Sequence, residues 1–295
     1  MNILKQSEIR IMEKLFKGKA IYQPKGRAGE YSRWACNFYK GCPNGCTYCF
    51  LKKGVLKHAM GGDTAKLKDC FKSPDHAIEV FQNELIDHRN ELQQCGLFFT
   101  FSSDPFLEKT IDLTVRAIDI CMANGIPVKL LTKRADWIEG YFTPNAQFCA
   151  FPYLIKSEYK SKIAFGFTLT GHDELEPGAS PNAERIEAMS KLHDMGFKTF
   201  ASIEPIIDFS GSLKMIKESR FCCDLFKIGL ESGKKYDKNE LTSFMVYVLN
   251  YSEKIMGGIK PDFKIYFKDT LLKQADISRD NLPKICVTRD YNLFK

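Results

Sequence analysis

No stretch of the 295-residue sequence approaches 18 uninterrupted apolar positions, so no transmembrane helix is expected. The opening segment, MNILKQSEIRIMEKLFKGKA, interrupts every short apolar run with charge, and the unbroken apolar core of a signal peptide is missing. A cytoplasmic location is therefore expected. Internal repeats and low-complexity tracts are missing too. Neither sign of charge dominates: 43 Lys and Arg face 36 Asp and Glu, a formal net charge of +7. That balance is too mild for a histone-like binder. Hydrophobic residues at 44% and charged residues at 27% exclude collagen and wholesale disorder. The length suits one large domain or two small ones, with enough chain to bury a core.

Cysteine is what the sequence has in quantity: 11 residues, an odd number. Without an export signal, and in a chain far longer than a disulfide-stapled mini-protein, the thiols are expected to stay reduced. Eight are scattered: Cys36, Cys70, Cys95, Cys121, Cys149, Cys222, Cys223 and Cys286. Each of these reads first as a packed thiol. Cys121, for instance, lies in a helix-period stripe with Ile111, Val115, Ile118 and Met122. The other three share one short loop, Cys42-Pro-Asn-Gly-Cys46-Thr-Tyr-Cys49.

Three thiolates at that spacing can converge on one centre. A closed zinc site wants four ligands, usually as two separated pairs. No second CxxC and no HxxxH follows, and Cys36 sits six residues upstream inside an expected strand. A cubane iron–sulfur cluster usually takes four cysteines. Three leave one iron open to a small-molecule ligand, and an open position is what chemistry needs. A structural zinc knuckle is the alternative.

Period-2 and period-3.6 patterns alternate along the chain. Strands are expected at Ala35–Tyr39, Leu97–Ser102, Val128–Thr132, Ile163–Thr170, Thr199–Ile203 and Leu225–Leu230. Helices are expected at His76–Gln94, Lys109–Asn124, Arg134–Gly140, Asn182–Met195, Ser212–Ser219 and Lys238–Ile255, several stopping at a glycine (Gly96, Gly125, Gly196). Such alternation predicts βαβ units on a parallel sheet. Six units fit an α/β fold, a partial (β/α)6 TIM-type barrel. Residues 1–30 read as an N-terminal extension, 31–233 as the barrel and 234–295 as a C-terminal helix and extension. Phe263–Phe267 offers a further strand beside the barrel, and 51–73 reads as a long loop or short helix over its mouth. Barrel chemistry sits at the C-terminal strand ends. The cysteine loop follows the first strand there. Ser103-Asp104, Lys133, Thr168 with Gly171-His172-Asp173, Glu204 and Glu231 follow the later ones.

The loop resembles the CxxxCx-aromatic-C signature of the radical S-adenosylmethionine (SAM) superfamily at every position. More specifically, Pro24–Tyr31, Asn37–Cys42, Leu131-Thr132-Lys133, the run Thr168–Pro181 with Glu184-Arg185-Ile186, and Glu204-Pro205-Ile206-Ile207 are similar to the spore photoproduct lyase-like (DNA repair photolyase-like) group. The likeness covers 24–233. It implies that Cys42, Cys46 and Cys49 bind a [4Fe-4S] cluster whose open iron is chelated by SAM, and that one electron then yields a 5′-deoxyadenosyl radical. It implies SAM contacts from Ser103, Lys133 and Thr168, with Tyr48 near the adenine. On its chemistry, Lys133 suits the SAM carboxylate. Ser103 or Asp104 suits the ammonium, and Glu204 is grouped with the cofactor.

The lyase itself relays its radical through a cysteine two residues before the Ser-Asp pair and through tyrosines at the cysteine loop. Here those positions hold Phe101 and, after the last cysteine, Phe50; Tyr48 remains. Spore photoproduct repair by that relay is therefore not expected. Cys70 is the one scattered thiol near the expected mouth and a weak candidate hydrogen donor; otherwise no catalytic residue is assigned.

Lys52, Lys53, Lys57, Lys66, Lys68 and Lys72 crowd the mouth segment, and Lys234, Lys235, Lys260, Lys264 and Lys268 come later. They suggest a nucleic-acid footprint or a solvated surface. The resulting expectation is a radical SAM enzyme fed by a reductant such as flavodoxin or ferredoxin. Its substrate is unidentified, with nucleic acid slightly ahead of a peptide or small molecule. A non-catalytic cluster- or zinc-containing nucleic-acid-binding module is the alternative.

Overall fold

A computed structural model describes residues 15–138, 157–254 and 263–295. The strands are β1 (Ile21–Tyr22), β2 (Ala35–Cys36), β3 (Tyr39–Lys40), β4 (Lys66–Leu67), β5 (Leu97–Phe99), β6 (Val128–Thr132), β7 (Ile163–Thr168), β8 (Lys198–Ile206), β9 (Leu225–Leu230) and β10 (Lys264–Phe267). Eight of them form one sheet in the order β1-β2-β5-β6-β7-β8-β9-β10. Every neighbouring pair from β2 to β10 is parallel, and β1 alone runs antiparallel, on β2. Strands that follow one another in sequence and in space, with helices between them, curl towards a barrel. The two edge strands do not pair, so the barrel stays open. The α/β partial-barrel expectation holds.

Period-2 alternation separates two apolar cores, one on each face. In β7, Ile163, Phe165 and Phe167 join the helix-side core while Ala164 faces the inner one. Phe98, Phe200, Leu225 and Tyr266 share the inner core, and the strand residues flanking each face the helices. A sheet covered on both faces explains why these strands read as nearly continuous apolar runs. The inner face is crowded at Gly166, where a β-carbon would run into the Phe200 ring. Gly166→Ala is therefore expected to cost about 1–3 kcal/mol of stability, measured as a lower urea midpoint. An unchanged midpoint would mean that Phe200 swings aside freely.

Several elements differ from expectation. The helix expected over His76–Gln94 is two, Pro74–Asp87 and Arg89–Cys95. His88 leaves helical geometry between them, and its ring packs on Phe16 and Trp34 at 4.1 and 4.7 Å. The first strand is shorter: after Cys36 the chain turns out, and Tyr39–Lys40 pairs instead with Lys66–Leu67. The 51–73 segment is a turn (Phe50–Lys52), a one-turn helix (Leu56–Ala59) and that short strand. Of the helix expected at Arg134–Gly140, only the start lies within the described residues, and Ile255 lies outside them. Lys264–Phe267 is a full sheet strand, a seventh parallel one, in register with Leu225–Ile228.

Strands from all three stretches distinguished in the sequence share this one sheet. Glu84 accepts backbone N–H bonds from Ala20 and Ile21 at 3.0 and 2.7 Å, which ties the N-terminal segment to a helix. At the other end, Leu293 is buried in the inner core, with Val287, Tyr291 and Phe294 packed against it. Val287 N–H donates to Ile265 O (2.8 Å), and the Asn292 amide to Gln94 O (3.3 Å). This tail bridges β10 and the start of β5.

Among the scattered cysteines, Cys36, Cys121, Cys222 and Cys223 are buried in the helix-side core as packed thiols. Cys36 is thus unavailable as a fourth ligand. Cys149 lies outside the described residues. No helix among them is long and apolar enough to cross a membrane.

Candidate metal centre

The chain leaves β2 through Asn37, whose Oδ1 accepts from Thr100 Oγ1 (2.5 Å) and Phe101 N (2.8 Å) at the end of β5. The cysteine loop then starts at the C-terminal end of the sheet. Gly41 N and Cys42 N donate to Met60 O and Gly62 O, each at 3.0 Å. On the far side Thr47 N donates to Leu175 O and Gly178 N to Asn44 O, both at 3.0 Å. Gly45 takes φ +70° at the tip, a conformation other residues adopt only at a cost. Held from both sides, Cys42, Cys46 and Cys49 line a single open recess, with Asn44, Leu51, Lys52 and Met60 among its walls.

Asp104 fixes this loop to the barrel. Its Oδ2 accepts from Asn44 Nδ2 (2.9 Å) and Lys133 N (2.8 Å), its Oδ1 from Thr132 Oγ1 (2.7 Å) and Phe106 N (3.1 Å). Four donors fill a carboxylate's acceptor sites. Asp104 therefore has no lone pair to spare for a ligand ammonium, which corrects the role expected from its position. Ser103 Oγ donates to Gly41 O at 2.7 Å and also braces the loop.

A second buried network stands opposite. Glu176 and Arg185, both with fully buried side chains, pair at 2.6 Å. Arg185 also donates to Ser180 O (2.6 Å) and to Thr168 O (2.8 Å), at the end of β7. Tyr48 donates its hydroxyl to Glu176 Oε1. The Lys133 ammonium lies 5.4 Å over the Tyr48 ring and 4.0 Å from Glu176. Tyr48 and Lys133 thus come together beside the cysteines, and Thr168 joins the Arg185 network through its backbone carbonyl.

Burial, with the Asp104 charge adding to it, pushes the Cys42 thiol up to about 12. Burial also raises Cys46, against the pull of Lys133. Burial works against the Lys133 charge, but Cys46 and Glu176 outweigh it and its pKa rises. The raised Cys42 and Cys46 thiols keep their protons unless a cation replaces them, which is the condition for metal-coupled deprotonation. Among the described residues, no three His, Cys, Asp or Glu side chains converge tightly enough to hold one metal ion. A cubane offers each thiolate a different iron.

Glu204 lies elsewhere at the mouth. It accepts from Tyr31 Oη (2.7 Å) and pairs with Lys268 at 2.5 Å. Lys268 lies 4.2 Å over the Tyr31 ring, and Glu30 accepts from Tyr266 Oη (3.0 Å). Lys227, buried on the inner face, donates to Glu30 O at 2.7 Å. The sequence reading missed this set apart from Glu204. Its one visible signal is a lysine on the inward register of the apolar strand LFKIGL. His172 is held between Glu174 and Asp208. Cys70 is exposed and is not among the residues that line the recess.

Among solved structures the chain is similar to SuiB of Streptococcus suis, with a TM-score of 0.51 and 14% identity over 83% of this chain and 50% of that one. SuiB bound to S-adenosylmethionine gives 0.51 and 14% over 81% and 53%. SuiB bound to its precursor peptide SuiA gives 0.51 and 13% over 84% and 53%. What is shared is the fold. This chain spans about half the length of those structures. No family model and no curated protein matches it.

Proposed function

We propose that this chain is a radical SAM enzyme. One observation carries the reading: three cysteines with CxxxCxxC spacing line one recess at the C-terminal end of a partial barrel, beside a lysine. Cys42, Cys46 and Cys49 would hold a [4Fe-4S] cluster with one iron open to SAM. When bound and reduced, the cluster would supply the electron that cleaves SAM to a 5′-deoxyadenosyl radical. Lys133 presents a positive charge for the SAM carboxylate, and Tyr48 a ring face whose orientation Glu176 holds. Thr168 adds a hydroxyl at the neighbouring strand end. Ser103 and Asp104 shape the loop. Glu204, held by Tyr31 and Lys268, faces the mouth as a candidate substrate contact.

For the substrate, a peptide now stands ahead of nucleic acid. SuiB was solved with a peptide, and two mouth lysines expected to meet phosphates are already paired, Lys52 with Asp63 at 2.6 Å and Lys53 with Glu231 at 3.0 Å. Placement in the lyase-like group rests only on the sequence stretches quoted for it.

Anaerobic reconstitution with iron and sulfide, then dithionite and SAM, tests the reading. Wild type should be brown and form 5′-deoxyadenosine, and Cys46→Ala should lose at least about 99% of that product. A colourless, zinc-bearing protein indifferent to SAM would establish the binding-module alternative.

A further inference from the structure

The stretch 40–72 holds seven lysines and two aspartates, so it carries five of the seven net positive charges of the whole chain. Each aspartate is taken by a lysine of the same stretch, Lys40 with Asp69 and Lys52 with Asp63. Lys53 pairs outside the stretch with Glu231, and Lys57, Lys66, Lys68 and Lys72 form no ion pair among the described residues.

Within this basic surface lies an apolar one. Phe50, Val55 and Leu56 are 46%, 85% and 43% exposed, and they stand in one short turn-and-helix segment. Leu51, Lys52 and Met60 of the same segment line the cysteine recess. The exposed apolar residues and these recess residues thus belong to one short segment beside the cysteine loop. An apolar centre with a charged rim is the anatomy of a protein–protein interface. A surface for nucleic acid is more uniformly polar and basic.

We infer that Phe50, Val55 and Leu56, flanked by Lys57, form the docking face for an acidic one-electron carrier protein. The inference rests on the radical SAM reading, because a cluster in the recess is what makes the wall worth docking on. The carrier loses one electron, the cluster gains it, and no atom is exchanged. Positive charge around the wall steers an acidic partner and speeds its encounter. The apolar centre then supplies desolvated contact.

The test is fluorescence anisotropy of a labelled acidic flavodoxin titrated with reconstituted full-length protein. Wild type should bind, more weakly as salt rises. Val55→Asp/Lys57→Glu should weaken binding by at least about tenfold. Lys284→Glu, a lysine charge reversal on another exposed surface, should stay within about twofold of wild type. Equal binding by the double variant and wild type overturns the inference. So does labelled single-stranded DNA binding in a Lys57-dependent way while flavodoxin does not. Dithionite bypasses the carrier, so wild type and double variant should form 5′-deoxyadenosine equally with it. If neither forms any, the radical SAM reading fails, while the anisotropy result still reports on the docking face.

Discussion

Replacing Asp104 with alanine is expected to unfold the cysteine loop and lower global stability by about 3–5 kcal/mol. The carboxylate is buried and accepts four hydrogen bonds, from Asn44, Phe106, Thr132 and Lys133. Each buried donor left without its acceptor costs about 1–3 kcal/mol, partly recovered where water enters the new space. Asp104→Asn keeps the shape but sets an amide N–H₂ against two of the donors, so it should fall between alanine and wild type. Urea unfolding with an unchanged slope measures the loss. Iron content after reconstitution measures the local effect, because Asn44 lies between two of the three cysteines. Stability and iron content equal to wild type would refute the tie between loop and barrel.

Arg185→Met should cost a similar amount for a different reason. The Arg185–Glu176 pair is fully buried, and removing one partner strands the other charge, a loss of about 3–5 kcal/mol. Arg185→Met with Glu176→Gln removes both charges and should lose clearly less than the two single changes together. A double-mutant cycle should give a coupling energy of about 1–3 kcal/mol. Additive losses would mean that the two side chains act independently. Glu176→Gln also weakens the acceptor of the Tyr48 hydroxyl, so SAM binding should fall in that variant even where folding holds.

Much of this architecture was legible before any coordinates. β6 and β9 match their expected ranges, β9 because it is buried on both faces and β6 because buried and half-buried positions alternate along it. The three cysteines were legible from spacing, and Lys133, Thr168 and Tyr48 from their place after strands or within the loop. What stayed hidden depends on partners far away in sequence. Asp104 was visible as a polar strand-end residue, but not its four donors, which come from positions 44 to 133. The mouth lysines read as a phosphate-binding surface because Glu231, the partner of Lys53, lies 178 residues on. His88 gave no sign of ending a helix, since its reason to leave is contact with Phe16 and Trp34. The C-terminal strand was read as an accessory because its four residues are too few to count by periodicity.

The tail that packs Leu293 against Phe98, Ala164 and Tyr31 also sets an order of events. Its contacts span nearly the whole length of the chain, and the entropic cost of closing such loops falls early while the reward comes late. During synthesis the helix-side core can consolidate strand by strand as each βα unit emerges. The inner core has to wait for residues 287–294. Until these residues are made, Leu293 and its neighbours cannot cover the inner face, and apolar surface stays open to misassociation.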